Sequence, residues 1–451
     1  MGGVSLLVAL GCGGDSDKAA GTEGGHCYPN DTCNRGLSCL STFCVLVPGD
    51  DGGVDLGGDG GAHPPVDGGA PDDGFKPAEH PRLPQVANYG GPVLESPKVQ
   101  PIFYPADDGA ADVRAFLDEL TGTDYWRQTT AEYGVGPLTL LPAITVSSVA
   151  PLIIGDDEIR GNLVAQTTGI APAWGPADPS TIYMVVLPPG TSGTAQGGNC
   201  CTDFTGYHSE APAGAVTIPY AVICACNGTS GADLTPLQER TLTISHELIE
   251  AATDPFIVTN PAFRQADRAD LVWTMATAGG EVADMCVLNP DANYIPAGAN
   301  YMVQRSWSNA AARQSRNPCV PARTPAYVNS FPIMGTVAFT TNGFTYYPLG
   351  IPIAFGQSKT VDVVLFSSVR VTRPWRVLAI SYNETPGTVT PTVDLELNRN
   401  VGLNGDQLKL TITPRRQNPM FGGEVFLLLS QYGNPGEADY QTNLSMGLVT
   451  N

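Results

Sequence analysis

Apolar positions between residues 84 and 322 follow two different periods. Val99–Tyr104, Leu138–Val146, Thr181–Leu187 and Ala215–Cys226 form the dense apolar runs of buried strands. Asp112–Leu120 instead places Val113, Phe116, Leu117 and Leu120 at helical spacing, and a further helix is predicted from Asp157 to Thr167. The strongest helix signal runs from Pro236 to about Ala252. Thr235 is a natural N-cap, Pro236 suits the first turn, Gln238 completes a capping box, and Asp254-Pro255 stops the run. From residue 323 the pattern is strand-like throughout: Thr336–Thr341, Phe344–Tyr347, Thr360–Val371, Arg376–Tyr382, Thr392–Leu397, Gln407–Thr413 and Glu424–Ser430. Asn342-Gly343 between the first two is a two-residue hairpin signal, and seven strands separated by turn residues predict a β-sandwich.

The first 83 residues have almost no such periodicity. Cys27–Val45 holds four cysteines (Cys27, Cys33, Cys39 and Cys44) in a stretch too short to fold without bridges. It is similar to small cysteine-rich knots found in exported proteins of Gram-negative soil bacteria. Gaps of five, five and four residues do not match paired C-x2-C zinc ligands, so disulfides are expected. Residues 46–83 are rich in Gly, Asp and Pro, which predicts a solvated, self-repelling linker. The repeats in DDGGVDLGGDGG lack the regular period of a calcium-binding array. The expected organisation is therefore a segment at 1–12, a disulfide-rich module at 27–45, a linker at 46–83, an α+β domain with a mixed sheet at 84–322, and an all-β sandwich at 323–451.

Composition narrows the function. The chain of 451 residues carries 23 Lys+Arg against 44 Asp+Glu, a formal net charge of −21. A nucleic-acid partner needs a basic footprint and is excluded as the default. Six further cysteines, Cys200, Cys201, Cys224, Cys226, Cys286 and Cys319, all lie in the central domain; with the four of the module they form an even set once Cys12 is set aside. Such local pairing points to an oxidising compartment, and the fifteen pairings of the six stay open. The apolar run Val4–Leu10 followed by Gly11 and Cys12 resembles the end of a bacterial lipoprotein signal. That resemblance implies an exported protein, either secreted or held in the outer membrane through a lipid on Cys12, with no other membrane contact.

The chemistry concentrates on the strong helix, in His246-Glu247-Leu248-Ile249-Glu250. Residues i and i+4 share a helix face, so His246 and Glu250 could grip one metal ion. Glu247 lies about 100° round the helix, where it could take a proton from a metal-bound water. Downstream, Glu281 and Asp284 in Gly280–Cys286 supply a third ligand and an acid that orients the histidine, in either order. One imidazole with carboxylates suits zinc and makes manganese or calcium more competitive. His208, in Gly206-Tyr207-His208-Ser209, is a further ligand, an oxyanion stabiliser or a structural histidine. No G-x-S-x-G elbow accompanies Ser209, and Cys224-Ala225-Cys226 is too short for a C-x-x-C redox site.

These motifs, in order, resemble the exordium-like (phosphate-induced) family. The matching stretches are Tyr89–Leu94, Gly206–His208, Ser245–Glu250 with Thr253–Pro255, Glu281–Cys286 and Val303–Asn309. The resemblance covers about residues 84–322. It implies an extracellular or wall-associated protein in which His208, His246, Glu247, Glu250, Glu281 and Asp284 belong to one site. The order of sheet, helix and downstream acid is also similar to zincin metalloproteases, which implies a zincin-like domain with Glu247 and His208 catalytic and His246, Glu250, Glu281 and Asp284 at the metal. Two functions follow. One is a metal-dependent hydrolase of peptidase type, acting on an extracellular protein or wall peptide. The other is a non-catalytic adhesin or cell-wall polysaccharide binder with a structural metal or none.

Overall fold

Strict period-2 burial organises the centre of the molecule in this computed structural model. Along β1 (Lys98–Phe103), β4 (Thr181–Val186) and β6 (Val216–Ile223), Val99, Phe103, Ile182, Met184, Val186, Ala221 and Ile223 face one core. Ile102, Tyr183, Val185, Tyr220 and Val222 face another. A strand buried on both faces needs helices on both sides. Helix α2 (Asp156–Thr167) covers the second core with Ile159 and Leu163, and α3 (Pro236–Thr253) covers the first with Ile244, Leu248 and Ile249. Helix α1 (Ala110–Gly122) joins α3 on that side through Val113, Phe116, Leu117 and Leu120.

The structure describes residues 74–450 except 106, 230–233, 278, 342–343, 383–391 and 416–422, together with the backbone of 38–40 and 43–45. The central sheet has the order β5-β6-β4-β1-β2, where β2 is Thr139–Leu140 and β5 is Gly206–Ala213, while β3 (Ile144–Thr145) continues beside β1. All pairings are parallel except that of β5, which runs antiparallel along β6 and forms the sheet edge. The expected strand Leu138–Val146 is thus two short pieces, with Pro142 between them. Strand β5 was not expected. Its inward positions carry His208 and Glu210 in place of apolar residues, and Pro212 further weakens the pattern.

The sandwich is present. One sheet has the order β7-β9-β12-β11, from Val328–Pro332, Lys359–Ser367, Gln407–Pro414 and Val393–Leu397. The other centres on β8-β14-β13-β10, from Leu349–Pro352, Gln441–Thr450, Glu424–Tyr432 and Trp375–Ser381. Val363, Leu365, Leu408 and Leu410 meet Val377, Phe426 and Leu428 between them. Strands Phe339–Thr341 and Phe344–Tyr346 pair as a hairpin; its Asn342-Gly343 turn lies outside the described residues. Strand β14 gave no sequence signal because Gln441–Asn443 and Ser445 are polar, yet nine of its ten residues are buried.

The boundary at residue 322 is not a break in packing. Val425, Leu427, Leu444, Met446 and Leu448, on the outer face of the second sheet, belong to the same core as Trp273, Ala276 and Met285 of the central domain. Polar ties cross it as well: Tyr382 Oη donates to the Ala276 carbonyl at 2.6 Å and Thr442 Oγ1 to Asp291 Oδ1 at 2.7 Å. Residues from Phe75 onward form one compact unit. The end of the expected linker joins it, with His80 stacked on Phe331 at 4.7 Å between ring centroids. In the separate unit of residues 7–74, Ser38–Leu40 and Phe43–Val45 pair antiparallel with Cys39 opposite Cys44. Cys12, the bridges of the module and the 46–73 part of the linker lie outside the described residues. Among the described residues, no helix is long and apolar enough to cross a membrane.

Candidate metal centre

Local rules place the site helix. The Thr235 hydroxyl accepts from Gln238 N at 3.2 Å, Gln238 Oε1 accepts from Thr235 N at 2.9 Å, and Pro236 opens the first turn. The buried Arg240 anchors the helix sideways, donating to Asp107 Oδ1 at 3.0 Å and to the Leu187 carbonyl. Strand β5 then comes unusually close. At Gly206 any Cβ would sit 2.5 Å from Thr243 Cγ2 and 3.1 Å from Glu247 Cγ. Glycine therefore allows the edge strand to lie against α3, and His208, paired with Ala221, projects from β5 toward the helix face. Two disulfides, Cys200–Cys224 and Cys201–Cys226, hold the loop before β5 against the end of β6.

The downstream acids are set by a turn. Gly280 has φ +82°, a conformation glycine adopts without strain. Asp284 Oδ2 accepts from Gly280 N at 2.9 Å and Glu281 N at 3.3 Å, closing the loop on itself. Cys286–Cys319 and the bond from Trp307 N to the Val282 carbonyl fix the segment to the chain that follows.

All six residues expected at the site are brought together, but not in the expected pairing. His246 Nε2 lies 3.1 Å from Glu250 Oε2 and 3.6 Å from Asp284 Oδ1. Glu281 instead sits with His208, its Oε2 at 3.8 Å from His208 Nε2. His208 Nδ1 is 3.5 Å from Glu247 Oε2 and 3.7 Å from Glu250 Oε2. Two groups of possible ligands result, His246/Glu250/Asp284 and His208/Glu250/Glu281, with Glu250 common to both. The expectation that Glu281 and Asp284 serve the same histidine fails because the turn points the two acids toward different imidazoles.

Two residues were not anticipated. Asp254, read only as the helix stop, is fully buried; its Oδ1 accepts from Ala262 N at 2.6 Å. Its position four residues beyond Glu250 was the available signal. Gln304 Oε1 faces His246 Nδ1 at 3.3 Å, while Gln304 Nε2 donates to the Ala283 carbonyl at 2.8 Å. Gln304 falls within the matching stretch Val303–Asn309, but no motif marked it as a site residue.

The electrostatics are those of too many acids in too little solvent. Burial and then the carboxylates of Glu250, Asp254 and Asp284 hold the Glu281 pKa well above the usual range. Burial and Glu250 push Asp284 up to about 7, against the pull of His246. Burial opposes charge on both imidazoles. It is outweighed at His246 by Glu250, Glu247 and Asp284, and at His208 by Glu247 and Glu250, so both pKa values rise. Burial also works against a charged Glu250, but His246 and His208 take its pKa below the usual value.

The donor set fits a divalent ion. Donors about 2.1 Å from a tetrahedral ion lie about 3.4 Å from one another, close to the 3.1 and 3.6 Å from His246 Nε2 to Glu250 and Asp284; in the His208 group one ligand atom of each residue lies within 4.8 Å of the others. His208 Nε2, Glu281 Oε1 and Asp254 Oδ2 are buried with no hydrogen-bond partner, a state that folded proteins rarely leave unexplained.

No protein-family model and no curated protein matches the chain. Solved structures with partial likeness include two of surface-layer proteins. The crystal structure of S-layer protein SbsC domains 4 and 5 is 14% identical over 27% of this chain and 54% of that one, with a TM-score of 0.16. The structure of surface layer protein SbsC, domains 1–6, is 13% identical over 36% and 19%, with a TM-score of 0.15. The chain therefore spans about half the length of the first and about a fifth of the second. Likeness at this level carries no argument about fold or function.

Proposed function

We propose that this is an exported envelope protein whose central domain is a zincin-like, metal-dependent hydrolase of peptidase type. The observation that supports it is the convergence of His208, His246, Glu247, Glu250, Glu281 and Asp284 from a sheet-edge strand, a helix and a downstream turn, with buried atoms left unpaired. The resemblance of the same motifs to exordium-like proteins and zincins points the same way, and three disulfides fit an oxidising compartment.

On this reading His246, Glu250 and Asp284 hold the ion, with zinc favoured over manganese and calcium. A divalent ion there supplies Lewis acidity and lowers the pKa of a bound water. Glu247 accepts the proton of the attacking water, and burial keeps competing solvent away from its carboxylate. Gln304 Oε1 accepts a hydrogen bond from Nδ1–H of His246, so that Nε2 keeps its lone pair for the ion. The bond attacked is a peptide bond of an extracellular protein or wall peptide.

The test is digestion of an unfolded protein substrate by the zinc-loaded full chain, beside Glu247→Gln. Loss of about 100-fold or more in rate, with metal content unchanged, supports the assignment. Equal rates in the two proteins would remove Glu247 from the mechanism.

The burial of Glu250 and Glu281 favours a second reading, a wall-polysaccharide binder or adhesin whose ion is structural, since structural sites are closed. Retained binding to purified wall polysaccharide after chelation, with no product formed from any substrate, would select it.

A further inference from the structure

We infer that the centre holds two divalent ions bridged by Glu250: an accessible one between His246, Glu250 and Asp284, and a closed one between His208, Glu250 and Glu281. The inference rests on the metal-dependent reading above and deepens it.

The unpaired atoms carry the argument. An ion at His246, Glu250 and Asp284 meets His246 Nε2 and the carboxylates facing it. It leaves His208 Nε2 and Glu281 Oε1 as they are, buried and without a partner. His208 Nε2 belongs to the other triad, where it faces Glu281 Oε2 at 3.8 Å, and a second ion is the ligand that satisfies it.

The two imidazoles are also prepared in the same way. A metal-binding histidine usually gives its other ring N–H to an acceptor, which fixes the tautomer. His246 has Gln304 Oε1 at 3.3 Å from Nδ1, and its Nε2 faces the acids. His208 has Glu247 Oε2 at 3.5 Å from Nδ1, and its Nε2 faces Glu281. Each triad thus has its own oriented histidine, and Glu250 Oε2 lies 3.1 Å from His246 Nε2 and 3.7 Å from His208 Nδ1, between the two rings.

Ionising all the acids together favours more than one ion. Glu247, Glu250, Asp254, Glu281 and Asp284 bring five carboxylates to two imidazoles. One divalent ion leaves most of that negative charge buried and facing itself, whereas two nearly offset it.

Exposure separates the roles. The side chains of His208, Glu250 and Glu281 are 3%, 4% and 8% exposed, while those of His246 and Asp284 are both 16% exposed. Structural ions sit in closed sites and catalytic ones keep an open position. The His208 ion therefore braces β5 against α3, and the His246 ion meets substrate.

The experiment counts ions on the intact chain. The full-length protein, and its His208→Ala and His246→Ala variants, are loaded with Zn2+, dialysed, and weighed by native mass spectrometry. Two ions in the wild type and one in each variant are expected. One ion in the wild type, lost in both variants, means a single shared site and overturns the inference. Two ions in all three proteins are adventitious and also overturn it. No ion in the wild type would remove the metal-dependent reading itself. Wild-type protein loaded with Mn2+ gives an answer that does not depend on the variants folding. Its electron paramagnetic resonance spectrum should show an exchange-coupled pair, and an isolated-ion spectrum overturns the inference.

Discussion

The sandwich and the metal centre both bury polar side chains, and they treat them in opposite ways. In the sandwich, Asn329 donates to Tyr327 Oη at 2.8 Å and the Leu444 carbonyl at 3.0 Å, and accepts from Ser330 N. Asn443 donates to the Val328 carbonyl, Ser445 to the Ser330 carbonyl, and the Ser330 and Ser430 hydroxyls bond each other. Two of the atoms left over there, Trp375 Nε1 and Ser381 Oγ, are uncharged. At the centre the buried groups are ionisable, crowd like charge against like, and leave His208 Nε2 and Glu281 Oε1 unpaired. Polarity that is satisfied internally stabilises a fold. Polarity that is not satisfied marks where something else is meant to bind.

The sharpest way to break this contrast is to mutate one member of each set. Asn329→Ala strips four hydrogen bonds from a fully buried position and should cost about 3 kcal/mol, with no change in bound metal. Glu281→Gln should leave the metal-free protein about as stable as before, because burial already favours the neutral acid, and should reduce the rise in Tm on adding Zn2+. Thermal melts with and without zinc read both. Equal losses of metal-free stability from the two changes would erase the distinction.

The next effect is a pH slope. Asp284 at about 7, against an ordinary value near 4 when unfolded, binds its proton more tightly in the folded state. Its contribution is fully present below about pH 4 and is lost as pH rises toward 7. Both histidines, also raised, lose theirs at higher pH in the same direction. One pKa unit corresponds to about 1.4 kcal/mol, so the metal-free Tm should fall by several degrees between pH 5 and 8. Saturating zinc should flatten the fall, since binding requires the deprotonated ligands. A metal-free Tm that rises over this range would contradict the electrostatic picture.

The smallest effect sharpens the geometry. Gly206→Ala drives a methyl into Thr243 and should cost about 1–3 kcal/mol. It should also weaken zinc binding, measured by competition with a chromophoric chelator, because it lifts His208 away from α3. Unchanged affinity would mean that the closeness of β5 is irrelevant to the site.

These differences also explain what the sequence revealed. Helix α3 was legible because its signals are local: a cap, a proline, a capping glutamine and a stop. The central strands were legible because both faces are apolar. Strand β5 was not, since His208 and Glu210 occupy its inward positions, and β14 was hidden by its buried amides and hydroxyls. His246, Glu247 and Glu250 could be named from their spacing on one helix, and the resemblance added His208, Glu281 and Asp284. The division of the acids between two imidazoles could not be named, because it depends on the Gly280 turn and on how near Gly206 lets a strand approach. Asp254 was read as punctuation although its spacing from Glu250 matched that of Glu250 from His246.

The continuous core across residue 322 bears on how such a chain can be handled. Cutting there would lay bare Val425, Leu427, Leu444 and Leu448 on one fragment, and Trp273 and Met285 on the other. Each piece would carry an adhesive wound where its neighbour had been. The sandwich therefore depends on the segment bearing the histidines to cover one face of its second sheet.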